Sequence, residues 1–185
     1  MKSPPNKPEN KDEIFRSIFE AIIRLDMQKG YLKWKISEVA RASKISRTLI
    51  YYYFGNSKEN MIATAIDFLG EEYFGLSAER LVMWERGEVL ESVLKSRALC
   101  QKALYVPFFH MARRHLKGKT GDKLRDLEVR YHKKLQSFYP EANHDDVEAL
   151  AAVLFGMAAM PNLSDAGVIS ALGIIQRNLV FKRLS

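Results

Sequence analysis

A chain of 185 residues, 47% of them hydrophobic, is long enough for a small domain joined to a larger one, each with a packed core. Its single cysteine, Cys100, excludes an intramolecular disulfide and a cysteine-based zinc site, and it favours a reducing cytoplasm. Most of the net charge of +7 comes from residues 1–60, which carry 12 Lys/Arg against 7 Asp/Glu. The longest apolar run, residues 149–160, is shorter than the roughly 20 residues that cross a bilayer, so no membrane partner is expected.

The N-terminal residues predict a flexible arm followed by an amphipathic helix. Residues 1–10 have no apolar periodicity and include three prolines. From Lys11 to Gln28 an apolar stripe at helical spacing predicts a first helix, which Gly30 is expected to end. The stripe consists of Ile14, Phe15, Ile18, Phe19, Ile22 and Leu25.

Residues 36–54 have the pattern of two short helices joined by a tight turn. Apolar residues recur at helical spacing in the first helix: Ile36, Val39, Ala40 and Ala42. Lys44 falls where the chain must turn, and Ser46 is suited to cap the second helix. In that helix, Ile50 and Phe54 are predicted to face the core, whereas the opposite arc presents Arg47, Thr48, Tyr51 and Tyr52. Such an arc suits the wall of a DNA groove, so the pattern predicts a DNA-binding helix-turn-helix.

Residues 14–62 resemble the N-terminal domain of the tetracycline-repressor (TetR) family of bacterial transcription regulators. The residues that carry the resemblance are Gly30-Tyr31, Val39-Ala40, Ile45-Ser46, Tyr51-Tyr52-Tyr53-Phe54 and Ser57-Lys58. The chain departs from the family's pattern at Trp34-Lys35, where Thr is usual, and at Thr48, where Gly is frequent. It also has one extra residue within Gly55-Asn56. Lys44 replaces the usual turn glycine, so a residue with a Cβ is expected to adopt an unusual turn conformation there.

The resemblance implies DNA contacts for nine residues. Arg47 is expected to read guanine through a bidentate contact, and Thr48 and Tyr51 are expected to meet base edges or thymine methyls. The remaining members of the set hold phosphates or groove walls, or cap the recognition helix: Lys35, Ser37, Ser46, Tyr52, Tyr53 and Lys58. The predicted organisation is an arm over 1–10, a helix-turn-helix domain over 11–58, and a helical ligand-binding and dimerisation domain over 59–185.

From about residue 77 the pattern predicts five further helices and no strand, so the predicted fold class is all-α. Pro107 interrupts the run over residues 96–116, and it either kinks one helix or begins another. The last three helices are expected over residues 122–139, 147–160 and 165–182, with Asn143 and Ser164 capping the second and third.

The last two predicted helices favour a homodimer. Residues 149–160 are apolar nearly all round, and a chain of this size can cover only one side of such a helix. The TetR resemblance implies that a partner subunit covers the other side in a four-helix bundle. The interface is assigned to Leu150, Leu154, Ala158, Val168, Leu172 and Ile175. The alternative, that both helices are internal core, remains open.

Aromatic and Met side chains around Pro107 suggest an apolar pocket for a small-molecule effector. The candidate ligand-binding residues are Trp84, Tyr105, Phe108, Phe109 and Met111, and the alternative is that they are ordinary core. Residues 95–134 also carry 12 Lys/Arg against 3 Asp/Glu, which favours either an anionic ligand or a solvated basic face.

The sequence contains no Gly-rich phosphate loop, no Gly-x-Ser-x-Gly and no His-Glu-x-x-His, and His110 and His115 are spaced for different faces of a helix. We therefore expect no enzymatic activity, no metal and no cofactor. The predicted function is a cytoplasmic, homodimeric repressor that binds double-stranded DNA at an inverted-repeat operator and is released by a ligand. The alternative is an all-helical interaction or ligand-binding protein whose helix-turn-helix is only structural.

Overall fold

The computed structural model describes residues 11–178, and the predicted all-α class is confirmed because no described residue lies in a strand. The helices are α1 (Lys11–Lys29), α2 (Ile36–Ser43), α3 (Arg47–Phe54), α4 (Lys58–Glu72), α5 (Ala78–Glu85), α6 (Val89–Lys102), α7 (Tyr105–Arg113), α8 (Lys119–Phe138), α9 (His144–Ala159) and α10 (Asp165–Asn178). The predicted arm and the predicted end of the last helix, beyond residue 178, lie outside the described residues. Among the described helices, none is both long and apolar enough to cross a membrane.

The chain divides into two compact units, which we call unit 1 (Met1–Ala65) and unit 2 (Ile66–Ser185). The division falls inside α4, so this helix contributes its first half to unit 1 and its second half to unit 2. The boundary predicted from the sequence lay at the start of the same helix, between residues 58 and 59.

Unit 1 is built around the apolar stripe of α1. Ile18 and Ile22 are fully buried, and the core also contains Trp34, Val39, Ile50, Met61 and Ile62. Gly30 ends α1 at a φ of 97°, and its N–H donates to the Asp26 carbonyl at 2.9 Å, as a glycine beyond a helix C-terminus commonly does. Lys44 adopts the left-handed conformation expected of it, with φ 61°, and ends α2.

Unit 2 contains six described helices after residue 77, one more than predicted. The additional helix arises at Pro107, the third residue of α7, where a missing N–H removes no intrahelical hydrogen bond. Pro107 therefore begins a new helix and does not kink a longer one. The predicted caps are present: the Asn143 side chain accepts from Asp146 N at 3.0 Å, and Ser164 Oγ accepts from Gly167 N at 3.1 Å.

Candidate nucleic-acid interface and internal cavity

The start and the orientation of α3 are fixed by local contacts. Ser46 has extended backbone angles, and its Oγ accepts a hydrogen bond from Leu49 N at 3.2 Å, which satisfies one of the free N–H groups at the helix start. On the inner side Ile50 is fully buried, and the Phe54 ring contacts the rings of Phe15 and Phe19 at 5.2 and 5.3 Å. With this face held in the core, the opposite face of α3 must point outward.

The outward face of α3 carries the predicted recognition residues. Tyr51 is 42% exposed and Tyr52 is 79% exposed, an unusual position for two large aromatic side chains. The other predicted DNA-binding residues that lie at the surface are Lys35, Ser37, Ser46, Arg47 and Thr48. Within the part of the chain that the structure describes, Arg47 forms no ion pair, so its guanidinium is available to an external acceptor.

Two of the nine predicted DNA-binding residues are instead engaged inside unit 1. The half-buried Tyr53 ring lies 5.0 Å from the Phe15 ring. Lys58 Nζ donates to the Leu32 carbonyl at 2.8 Å and lies 5.5 Å from the centre of the Trp34 ring. These contacts hold the helix-turn-helix together, and DNA contact by either residue stays a prediction.

Sequence reasoning missed a buried carboxylate that holds the turn between α1 and α2. Asp26 is fully buried, and its Oδ2 accepts from Leu32 N at 2.9 Å and from the Trp34 indole N–H at 3.2 Å. Trp34, one of the departures from the family pattern, therefore serves as a core residue with its N–H satisfied. The signal was available, since an aspartate directly follows Leu25 at the end of the apolar stripe.

Glu38 fixes the start of α2, next to the predicted phosphate contact Lys35. Its carboxylate accepts from Lys35 N at 2.9 Å and pairs with Lys29 Nζ at 2.5 Å. The hydrogen bond from Lys29, followed by that from the Lys35 backbone, lowers the pKa of this carboxyl. Lys35 thus stands at a defined position at the N-terminus of α2.

Unit 2 contains an internal cavity lined mainly by apolar side chains. Its cavity volume is about 30 Å³. The empty space between the surrounding protein atoms is about 500 Å³ when the open mouth is included. The apolar lining includes Phe74, Trp84, Val93, Val106, Pro107, Leu154 and Phe155. The cavity is therefore a narrow cleft, and an organic ligand would have to move its walls apart.

Two cationic side chains also line this cavity, and both are buried. Arg80 is 5% exposed and Lys134 is 6% exposed. Arg80 Nε donates to Ser92 Oγ at 3.0 Å, and its Nη2 donates to Ser96 Oγ at 2.6 Å and to the Ser92 carbonyl. Lys134 Nζ donates to the Gly75 carbonyl at 2.7 Å and lies 4.1 Å from the centre of the Trp84 ring. A pair of buried cations suits the binding of an anion better than acid–base catalysis.

The other titratable groups at the cavity are neutral at physiological pH. Burial raises the pKa of the Cys100 thiol to about 11, so it remains a thiol and a poor nucleophile. Burial also raises the pKa of Tyr131. At the far side of Phe74 and Phe155, burial lowers the pKa of His110, although Glu128, 3.3 Å from its Nε2, opposes that effect.

Of the five predicted ligand-binding residues, Trp84 lines the cavity. Phe109 is fully buried but does not line it, while Tyr105 is 40% exposed. Phe108 and Met111 lie on the outer side of α7, with 60% and 59% of their surfaces exposed. A role in ligand binding stays a prediction for these four residues.

The residues assigned to the dimer interface from the sequence lie inside the protomer, and their contact with a partner subunit stays a prediction. Leu150, Leu154, Ala158, Val168, Leu172 and Ile175 are all buried in the core of unit 2. The reason is that α9 and α10 use their most continuous apolar faces to pack within their own chain. The faces that α9 and α10 leave uncovered carry a different set of apolar residues: Ala149, Val153, Gly156, Met160, Ala166, Ile169 and Gly173.

Within residues 11–178, which contain helices and no strand, the exposed second helix of a helix-turn-helix unit is the arrangement found in helix-turn-helix DNA-binding proteins. Residues 18–65 match the family model described as bacterial regulatory proteins, tetR family. Compared with curated proteins, the chain has no significant match.

Solved structures with the same fold include three regulators. The fatty acid degradation regulator FadR from Bacillus halodurans has a TM-score of 0.60 at 14% identity, over 87% of this chain and 97% of that one. The TetR-family regulator PfmR from Thermus thermophilus has a TM-score of 0.53 at 17% identity, over 91% and 96% of the two chains. FadR from Bacillus subtilis, solved with stearoyl-CoA, has a TM-score of 0.50 at 17% identity, over 87% and 97%.

The TetR family model thus covers the helix-turn-helix region of this chain, and the fold of the described residues is similar to that of TetR-family regulators. The family and these similar structures are transcription regulators, not enzymes.

Proposed function

We propose that this protein is a homodimeric repressor that binds an inverted-repeat operator and is released from it by a small apolar or amphipathic ligand. The exposed arc of α3 carries the proposal. A helix-turn-helix that only supported the fold would have no need of Arg47, Tyr51 and Tyr52 together at the surface. In a major groove, by contrast, these side chains find base edges, methyl groups and phosphates.

The two-fold dimer is supported by the uncovered faces of α9 and α10. On α9 and at its C-cap Met160, the residues Ala149, Val153, Gly156 and Met160 are spaced by four, three and four residues, which is the spacing of a helix seam in a bundle. Nothing lies within 4 Å of where a Cβ at Gly156 would be, so a second helix could approach closely at this point. On α10 the matching positions are Ala166, Ile169 and Gly173, with Ile169 54% exposed. We therefore assign the dimer interface to this seam.

A two-fold dimer determines the form of the operator. Two copies of α3, related by the symmetry axis, read the same sequence on opposite strands, so the site is an inverted repeat. Helix-turn-helix dimers place their recognition helices about one helical turn apart, or about 34–36 Å. We expect half-site centres separated by about 10 bp or by a multiple of that distance.

Release by a ligand is supported by the cavity and by the division of α4 between the units. Tyr73 and Phe74, which line the cavity, directly follow the half of α4 that belongs to unit 2. A ligand that widens the cleft must displace this segment, and the other half of α4 belongs to unit 1. A ligand that prefers the displaced arrangement weakens DNA binding, and DNA weakens ligand binding by the same factor. The stearoyl-CoA bound to the similar Bacillus subtilis regulator supports an acyl compound as the ligand.

Operator selection tests the proposal. The full chain would be used to enrich sequences from a pool of random duplexes, followed by competition between the enriched site and random duplex. We expect an inverted repeat, bound at least a thousandfold more tightly than random DNA, as is usual for specific regulators. If no sequence is enriched, the helix-turn-helix is structural and the alternative function, an interaction or ligand-binding protein, takes its place.

A further inference from the structure

We infer that the cavity of unit 2 recognises an anionic amphipath, with a compact carboxylate held at Arg80 and Lys134 and an apolar body held among Trp84, Val93, Leu154 and Phe155. The inference rests on the proposed function, because it names the class of ligand that would release the operator.

The two cations converge on one place in the cavity wall. A Cβ placed at Gly75 would lie 3.3 Å from Arg80 Nη2, 3.3 Å from Lys134 Nζ and 3.4 Å from Ser92 Oγ. Both charged ends and the Ser92 hydroxyl therefore surround the same point of the backbone. Gly75 has a φ of 63° there, which allows the chain to pass between the charges. Arg80 Nη2 and Lys134 Nζ are therefore close enough to each other, in the wall of the cavity, for one carboxylate to pair with both.

The two cations receive little compensation from the protein. Lys134 Nζ has three N–H donors, and within the described residues its hydrogen-bond partner is the neutral Gly75 carbonyl. Arg80 donates to two serine hydroxyls and to backbone carbonyls, with the carboxylates of Glu72 and Glu79 acting on it only through the Coulomb field. Burying a cation without an anion carries a large desolvation penalty, which a bound carboxylate offsets through charge-assisted hydrogen bonds.

The lowered pKa of Lys134 agrees with a site that binds an anion. Burial, and then the charge of Arg80, hold the pKa of this amine well below its usual range. The groups near this amine are the Arg80 guanidinium on α5, the Ser92 hydroxyl and the Trp84 ring, and none of them supplies a negative charge. An arriving carboxylate favours the charged amine, so binding should be accompanied by proton uptake.

The rest of the cavity determines which apolar group the ligand can have beside its carboxylate. Beyond the cation pair its walls are aromatic and aliphatic, and the cleft is narrow. A linear or planar apolar body needs less displacement of these walls than a branched one, and a compact carboxylate needs less space at Arg80 and Lys134 than a polyanionic head group. The ligand is therefore a free carboxylic acid, and an acyl thioester is the competing source of the same apolar chain.

Binding of matched acids and amides tests the inference. Isothermal titration calorimetry would compare octanoate and laurate with their primary amides and with a lauroyl thioester on the parent protein. We expect each acid to bind at least about tenfold more tightly than its amide, because the amide cannot pair with the cations. The Lys134→Met variant should lose this preference, and the matched control Lys133→Met, which removes an exposed charge one residue away, should keep it.

Each other outcome overturns the inference. Equal binding of acid and amide, binding of the thioester alone, or no binding of any of these compounds would show that the cation pair does not receive a carboxylate. The comparison on the parent protein depends on no variant, so misfolding of Lys134→Met leaves the test intact. Enrichment of an operator in the separate selection experiment would leave the proposed function standing even if the acids fail to bind.

Discussion

The cations of unit 1 that we assign to DNA binding lie at the surface, whereas two cationic residues of unit 2 are buried beside a cavity. Arg47 and Lys35 are exposed to solvent. The core of unit 1 contains the buried carboxylate of Asp26. Arg80 and Lys134 lie beneath the surface of unit 2, bonded to hydroxyls and carbonyls. The exposed cations suit a polyanion that approaches from outside, and the buried pair suits a small anion that enters the protein.

The buried charges of the two units also differ in how well they are compensated. Asp26 accepts two directed hydrogen bonds that join the end of α1 to the following turn, so it contributes to the stability of unit 1. Lys134 has one hydrogen bond for three donors, so it contributes little to the stability of unit 2. Removing the Asp26 carboxylate should therefore lower the free energy of unfolding, whereas removing the Lys134 amine should not.

The largest effect is expected at the dimer seam. Val153→Glu places a charge on the face of α9 that we assign to the partner, and an uncompensated buried charge costs about 3–5 kcal/mol. Dimer affinity should fall more than a hundredfold, while the protomer stays folded because Val153 is 43% exposed there. Light scattering should show a parent of twice 21.3 kDa and a monomeric variant.

The control for the dimer seam is Val129→Glu, which changes a similarly exposed valine on α8. It should leave the dimer intact. A monomeric parent, or dissociation by both substitutions alike, would contradict the interface that we assign.

The second effect concerns the buried carboxylate of unit 1. Asp26→Ala leaves the Leu32 N–H and the Trp34 indole N–H without their acceptor, and the free energy of unfolding should fall by about 2–3 kcal/mol. Denaturant unfolding followed by circular dichroism measures the change. Asp26→Asn, which keeps an acceptor oxygen, should recover part of the loss, and an unchanged midpoint in Asp26→Ala would show that these hydrogen bonds are dispensable.

The third effect is a pH dependence that Lys134 imposes on stability. Its folded-state pKa is depressed, so the unfolded chain binds more protons in the window between that pKa and the ordinary lysine pKa. Stability contributed by this group must rise with pH across the window, by at most about 1.4 kcal/mol per pH unit. Thermal unfolding measured at increasing pH, up to the ordinary lysine pKa, should show this rise in the parent.

Lys134→Met should abolish that rise without lowering stability, because the buried amine makes a single hydrogen bond and an apolar side chain can occupy the same position. Lys133→Met should retain the slope of the parent. If stability rises equally with pH in the parent and in Lys134→Met, the pKa of the Lys134 amine is not lowered in the folded protein.

The smallest effect concerns Lys58, for which the TetR resemblance implies a phosphate contact. Its hydrogen bond to the Leu32 carbonyl supports a residue with a φ of 57°, so Lys58→Met should cost about 1 kcal/mol of stability. Unfolding measured in the absence of DNA isolates this role. If the variant is as stable as the parent, the hydrogen bond from Lys58 to Leu32 does not stabilise the fold, and phosphate contact is the one role left for Lys58.

The sequence predicted what depends on local spacing. The caps Ser46 and Asn143, the left-handed turn at Lys44 and the outward arc of α3 all follow from residues within a few positions of each other. The alternation of apolar and polar residues at helical spacing shows which face of a helix is buried. The exposed face of α3 could therefore be predicted without a structure.

The sequence could not predict what depends on packing between distant helices. Arg80 and Lys134 lie 54 positions apart in the chain and meet only because the helices of unit 2 pack together, α5 on α6 and α8 on α9. For the dimer seam, the spacing of apolar residues in α9 offers two faces, and no local signal says which one the protomer uses itself. The structure places Leu150 and Leu154 inward and leaves Val153 outside.

Sequence-specific DNA binding through the outer face of α3 is the central claim, and one comparison tests it most directly. The dissociation constants of the parent, Arg47→Ala and Lys35→Ala would be measured on the enriched operator and on random duplex at several salt concentrations. Arg47→Ala should lose about 1–3 kcal/mol on the operator alone, and Lys35→Ala should weaken both duplexes and reduce the salt dependence. If both variants lose the same affinity on operator and random duplex, α3 does not read sequence, and the account of this protein as an operator-binding regulator is wrong.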